Sequence, residues 1–245
     1  MSGVELVVVA LAVAIGAVTK GIAGLGLPVV AVPVMAGFLG VEEAVVVMAF
    51  PSLASNLWLV REHRAARHQT RHLPALVVPG LMGAALGSWL LTSVDETLLA
   101  VVVAVLVGVY AVSFVANPEV QLPEPVARRL SPAVGLGAGV MQGTAGFSGP
   151  LVGAWLHSFR LPRPAYVLSV TTVFGLVGVA QVVTLAALGR YTVARVIASA
   201  LALAVVAVGV PVGSRLAHRV SPRAFDRVVV GLLVASAAWL LASRL

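Results

Sequence analysis

The stretch "TKGIAGLGLP", Thr19 to Pro28, places the only lysine of a 245-residue chain between two strongly apolar segments. Shifted by 122 residues, "KGIAGLGLP" (Lys20 to Pro28) falls on "QGTAGFSGP" (Gln142 to Pro150), pairing Gly21 with Gly143, Ala23 with Ala145, Gly24 with Gly146 and Pro28 with Pro150. A second match, "GSWLLTSV" (Gly87 to Val94) with "GSRLAHRV" (Gly213 to Val220), supports an internal duplication. The chain is therefore expected to consist of a first repeat over residues 1–115, an extended linker over 116–132 that carries four prolines, and a second repeat over 133–245.

Composition fixes the solvent. With 60% hydrophobic residues, 10% charged residues and a mean hydropathy of +1.06, a water-soluble globule would lack the polar surface to cover itself. Apolar runs near the roughly 20 residues needed to cross hydrocarbon recur along the chain, so an all-α polytopic membrane protein is expected. The first segment has an acidic flank at Glu5 and no A-x-A cleavage pattern, and is read as part of the mature protein. The absence of cysteine excludes thiolate metal sites and cysteine nucleophiles. The net charge of +7 comes from arginines in short loops, which membrane orientation accounts for without nucleic acid.

Each half reads as an apolar stretch interrupted by the glycine motif, followed by three spans. In the first half the spans are about Ala44 to Val60, Leu73 to Leu91 and Thr97 to Val115; in the second they are about Ala165 to Leu188, Val193 to Val212 and Val228 to Leu241. The interrupted pieces, Leu6 to Thr19 and Leu25 to Leu39, hold 14 and 15 residues. At roughly 21 Å each they fall short of a hydrocarbon core of about 30 Å. If each pair enters and leaves by one face, every repeat crosses three times and the second is inverted relative to the first.

Arginine counts test the inversion. In the inverted arrangement Arg61, Arg64, Arg67, Arg71, Arg128, Arg129, Arg160, Arg163, Arg215, Arg219, Arg223 and Arg227 share one side, against Arg190, Arg195 and Arg244. Eight ordinary spans would divide the same residues nine to six. The positive-inside rule selects the twelve-to-three split, with the twelve in the cytoplasm and Glu42, Glu43, Asp95 and Glu96 outside. Re-entrant hairpins and pairs of short full spans give the same loop sidedness.

Helices broken inside a membrane persist where protein or a watery cavity satisfies the freed backbone groups. Matching breaks in inverted repeats point to a transporter site near the midplane. Helices starting near Leu25 and Phe147 would aim positive N-termini at the centre, which suits an anion. An ammonium in an apolar stretch marks a pathway, although a lysine at a short helix end can also snorkel to headgroups. The candidate substrate-binding residues are Lys20, Gly21, Gly24, Gly26, Asn56, Gln142, Gly143, Thr144, Gly146, Ser148, Gly149 and Thr172. Ser52, Ser55 and Asn56 share a helix face by their i, i+3, i+4 spacing, as do Ser169 and Thr172; helix packing is the alternative role for these residues.

The motifs "GIAGLGLPVVAVPVM" and "GTAGFSGPLVGAWL", with the basic loop Arg61 to His72 after the first, resemble the sulfite exporter TauE/SafE family of bacterial membrane permeases. The resemblance spans nearly the whole chain. It implies a multi-pass protein of the bacterial inner membrane that moves sulfite, thiosulfate or small organosulfonates. The expected mechanism is secondary transport by alternating access around a midplane anion site, with a channel or uniporter as the open alternative and with no cofactor and no metal; coupling protons and homo-oligomerisation are compatible with it. Besides the anion, lipid is the expected partner.

Two other classes compete. "GFSG", Gly146 to Gly149, fits an intramembrane serine-protease motif, but no histidine is placed as its base: His157 lies nine residues after Ser148. A non-transporting scaffold would use the glycines for packing alone. The chain lacks G-x-x-x-x-G-K-[ST], so it carries no nucleotide-driven engine of its own.

Overall fold

A computed structural model describes residues 3–24, 26–116 and 123–217, with four isolated positions beyond. The described residues are helical: α1 (Gly3–Ala23), α2 (Leu27–Leu39), α3 (Val41–His63), α4 (Leu73–Ser93), α5 (Glu96–Ala116), α6 (Glu124–Ala145), α7 (Gly149–His157), α8 (Arg163–Ala187) and α9 (Val193–Leu216). A 3-10 turn over Arg64–Gln69 extends α3. The span expected over Val228 to Leu241, with Arg219, Arg223, Arg227 and Arg244, lies outside the described residues apart from isolated positions.

Among the described residues four stretches are long and apolar enough to cross a membrane: Val41–Gln69, Leu73–Ser93, Arg163–Ala187 and Val193–Leu216. Their outward residues are those that water would expel. Leu57, Trp58, Met82, Trp89, Leu201 and Val208 are all more than half exposed, the pattern of a lipid-facing surface. This is an all-helical polytopic membrane protein.

Two expectations about the interrupted segments change. The helix α1 does not stop at Thr19; it runs through Lys20 and Gly21 to Ala23, so its 21 residues span roughly 32 Å. Its partner α2, with 13 residues, is the short arm. The second pair is more unequal still, 22 residues in α6 against 9 in α7. The expected extended linker is also shorter than 116–132, because α6 begins at Glu124. Pro125 fits the first helical turn, where no N–H is needed, and burial of Ala127 and Ser131 anchors the segment that Pro132 interrupts.

At both breaks the chain reverses. Gly24 and Gly26 have φ of 81° and 116°, and Gly146 has φ of 76°, conformations that strain any residue bearing a Cβ. The Leu27 carbonyl then lies against Gly16, nearly two turns back along α1, and Leu151 lies against Gly137 of α6. Each break is thus the tip of a hairpin.

Ion pairs mark two poles. At one, which holds Arg61, Arg71 lies 3.9 Å from Glu124, and Ser214 bonds Glu62. At the other, Arg195 meets Glu43 at 2.7 Å and Glu42 at 3.0 Å, and Arg190 bonds the Thr92 carbonyl. These contacts orient the helices: α3 and α9 run from the Glu42 pole to the Arg61 pole, while α4, α6 and α8 run the opposite way.

Glycine stripes draw the long helices together. On α4, Gly80, Gly83 and Gly87 face Gly135, Gly139 and Gly143 of α6, and the two helices run parallel in register. On the other flank Gly21 of α1 faces Gly213 of α9, again in parallel, so α1 ends at the Arg61 pole. Small residues at four-residue spacing let backbones approach where lipid supplies no hydrophobic drive. Between these flanks α3 and α8 cross antiparallel, with Asn56 against Gly175 and Leu53 against Gly178. This central pair carries the site.

Candidate functional site

Lys20 and Gln142 occupy equivalent places in the two hairpins. Each lies one turn before the reversing glycine, and its carbonyl accepts that glycine's N–H: Gly24 to Lys20 at 2.7 Å, Gly146 to Gln142 at 2.9 Å. The cap fixes where the last turn ends, and so which way each side chain leaves its helix. Both reach the same small buried cavity, lined also by Gly26, Ser52, Asn56, Ser148 and Gly149. Its apolar wall includes Phe147 and Phe174.

The ammonium is fully enclosed. Lys20 is 1% exposed, and its Nζ donates to Asn56 Oδ1 at 2.6 Å. A donor-only ammonium determines which amide atom faces it, so the Asn56 oxygen turns toward Lys20 and its NH2 group turns away. The Phe174 ring centroid lies 5.9 Å from Nζ, within cation–π range. Among the described residues no carboxylate lines the cavity. A buried ammonium with only neutral neighbours carries a desolvation cost of several kcal/mol, which an anion entering the cavity would offset.

The Gln142 side is a closed network. Gln142 Nε2 donates to the Gly146 carbonyl at 3.0 Å and to Gln181 Oε1 at 3.3 Å, while Gln181 Nε2 donates to the Gln142 carbonyl at 2.8 Å. Carbonyl acceptors fix both amide orientations. Gln142 Oε1 therefore points the other way and accepts from Ser148 Oγ at 3.2 Å. Ser52 Oγ is buried at the cavity without a hydrogen-bond partner among the described residues, an orphan that a ligand or water would satisfy.

Six of the twelve candidate substrate-binding residues meet here, Lys20, Gly26, Asn56, Gln142, Ser148 and Gly149, together with Ser52 from the polar face of α3. The others lie elsewhere. Gly21 and Gly143 sit at the helix contacts with α9 and α4. Gly24 makes its turn beside Val167, and Gly146 beside Val32 and Val45. The Thr144 hydroxyl bonds back to the Val140 carbonyl, and Thr172 is half-buried on α8 away from the cavity lining. Ser55, Ser169 and Thr171 return their hydroxyls to their own helices, at Ser52, Ala165 and Val167.

The sequence reading passed over Gln181 and Phe174. Gln181 is the only carboxamide in the 25 residues of α8, which was the available signal. The protease motif finds no base, since Ser148 bonds Gln142 and His157 packs edge-on against Tyr166 at 6.0 Å.

Open space lies toward one pole. A vestibule of about 210 Å³, lined by Gly21, Glu62, His63, Arg163 and Ser214, adjoins the end of α1 at the Arg61 pole. The Arg163 guanidinium crosses from α8 to donate to the Ile22 carbonyl at 2.7 Å. The Lys20 cavity itself is about 10 Å³, room for about one water. A bound oxyanion requires its walls to part.

A buried cation in a cavity where the described residues place no carboxylate suits an anion, as a membrane permease for anions would require. Residues 8–240 match the family model described as Sulfite exporter TauE/SafE, and the chain belongs to that family. Its members are transporters of sulfur anions rather than enzymes. No curated protein and no solved structure matches the chain.

Proposed function

We propose that this protein is a secondary transporter of a small sulfur oxyanion, such as sulfite, thiosulfate or an organosulfonate, bound between Lys20 and Gln142. The observation that carries this reading is their convergence. Two hairpins from the two halves of the chain bring one ammonium and one carboxamide into a single buried cavity to which the described residues bring no carboxylate. Further donors lie at the cavity beside the ammonium: the Ser52 hydroxyl and the free N–H groups at the starts of α2 and α7.

The helix directions support two inverted repeats, 1–115 and 133–245, around a 116–132 connection. Helices in matching order run oppositely: α1 against α6, α3 against α8, α4 against α9. The aligned glycines exchange partners across the halves, Gly21 with Gly213 and Gly143 with Gly87. Such an arrangement suits alternating access, one half rocking against the other about the cavity. With the Arg61 pole in the cytoplasm of a bacterial inner membrane, the vestibule becomes the cytoplasmic approach.

The test is flux of sulfite, thiosulfate and an organosulfonate into proteoliposomes, with and without an imposed pH gradient. Native protein should move at least one of them, and Lys20→Gln should abolish that flux at equal reconstitution. Normal flux in Lys20→Gln would remove Lys20 from the site.

A further inference from the structure

We propose that the transported species is a monoanion that still holds one proton on oxygen, hydrogensulfite in the case of sulfite, so that the substrate carries its own coupling proton. The inference rests on the anion-transport reading above and narrows its substrate class. Two features of the cavity lead to it.

The first is charge. Among the described residues Lys20 on α1 is the single charged group lining the cavity; the linings from α2, α3, α6, α7 and α8 contribute no titratable side chain. Among the described residues, charged sets stand at the poles: Glu62, His63 and Arg163 at the vestibule, Glu42, Glu43, Arg190 and Arg195 at the opposite end. One buried ammonium neutralises one negative charge. A dianion would leave a second charge in a low-dielectric space, at a cost that hydroxyls and amides repay only in part.

The second is hydrogen-bond polarity. Around Lys20 the cavity presents donors, in the ammonium itself and the unpartnered Ser52 hydroxyl. Across from it the polarity reverses. Both hydrogens of the Gln142 amide are committed, to Gly146 and Gln181, so its Oε1 faces Ser148 as an acceptor. The Ser148 hydroxyl spends its proton on that oxygen, which leaves its own lone pairs. A fully deprotonated oxyanion has nothing to donate there. A hydrogen-bearing monoanion does: its O–H donates to Gln142 Oε1 or Ser148 Oγ while its other oxygens accept from Lys20 and Ser52.

The proton balance needs no protein carboxylate. The anion enters with its proton, crosses as a single negative charge, and loses the proton to bulk water on the far side according to the pH there. Each turnover moves one sulfur atom, one proton and one net negative charge. That accounts for a cavity to which the described residues bring no Asp, Glu or His.

Initial rates for sulfite, selenite and thiosulfate in proteoliposomes, corrected for protein-free vesicles and taken across a pH series, decide the matter. Sulfite flux should fall about tenfold per pH unit above its own second ionisation. Selenite, which holds its second proton to higher pH, should show the same fall displaced upward, and thiosulfate should move poorly throughout. Coincident falls for sulfite and selenite would mean a protein group titrates, and would overturn the proposal. So would thiosulfate flux equal to that of sulfite, with anion transport left standing. Movement of none of the three would remove the anion-transport reading as well. In Gln142→Lys, a second ammonium at the position matching Lys20 should raise the thiosulfate-to-sulfite rate ratio by about tenfold or more; an unchanged ratio overturns the charge count. If that variant does not fold, the native profiles decide alone.

Discussion

Lys20 and Asn56 are joined by one buried 2.6 Å hydrogen bond, from Nζ to Oδ1, which ties the end of the first hairpin arm to the middle of α3. The bond holds the ammonium in place without cancelling its charge. Asn56→Asp should cancel it. A carboxylate at that distance forms a buried ion pair, which is close to break-even for stability, so the variant should fold with an apparent Tm at or above native. Anion flux should drop by about tenfold or more. Asn56→Ala makes the complementary change: it removes an acceptor at a cost of about 1–3 kcal/mol but leaves the positive charge, and should retain part of the flux. Native flux in Asn56→Asp would show that the Lys20 charge does not hold the substrate.

The Gly143 contact tests packing apart from chemistry. A Cβ there would stand 2.5 Å from the Ser88 nitrogen and 2.6 Å from the Ala84 carbonyl oxygen, so α4 and α6 would have to separate. Gly143→Ala should destabilise by about 1–3 kcal/mol, seen as a lower midpoint of thermal unfolding in detergent. Among the described residues Gly108 on α5 has no atom within 4 Å of where a Cβ would stand. Gly108→Ala should be neutral or stabilising by about 1 kcal/mol, from helix propensity alone. Equal midpoints for the two variants would contradict the close α4–α6 approach.

These two glycines also show what sequence can and cannot distinguish. The duplicated motif was legible because its chemistry is anomalous: a lysine and a glutamine, each beside glycines, in apolar surroundings. Asn56 was legible because its i, i+3, i+4 neighbours put a polar stripe on one helix face. The glycines within the motif were not separable by role. Gly21 and Gly143 pack inside intact helices, whereas Gly24 and Gly146 reverse the chain; a residue type that serves both purposes gives no sign of which. That ambiguity is why α1 was expected to end at Thr19 rather than Ala23. The start of α6 at Glu124 was hidden for a similar reason, since proline-rich sequence reads as extended unless burial of Ala127 is known.

Gln181 positions rather than binds. It touches Gln142 from both ends of its carboxamide and is absent from the cavity lining. Gln181→Leu should leave the protein folded, with a loss of about 1–3 kcal/mol from the unpaired groups. It should also free the Gln142 amide to turn its NH2 toward the cavity. The expected signature is a change in selectivity: thiosulfate should gain relative to sulfite, because an acceptor becomes a donor. A uniform fall for all anions would assign Gln181 a structural role only.

Closure of the two ends is the remaining relationship that a measurement can resolve. At the Glu42 pole, Arg195 links α9 to both Glu42 and Glu43 of α3; at the Arg61 pole, Arg163 links α8 to the Ile22 carbonyl of α1. Each joins opposite halves of the chain, so each must open when the halves rock. Since the chain has no cysteine, Ser52→Cys places a single thiol at the cavity, and a membrane-impermeant maleimide reports access from either side. Partly exposed ion pairs are worth up to about 1 kcal/mol, which corresponds to about a fivefold shift in an opening equilibrium. Arg195→Ala should therefore raise labelling from the Glu42 side about fivefold and lower it from the Arg61 side. Arg163→Ala should do the reverse, because opening one end is coupled to closing the other. If both variants raise labelling from both sides, the ends open independently, and the protein works as a channel rather than by alternating access.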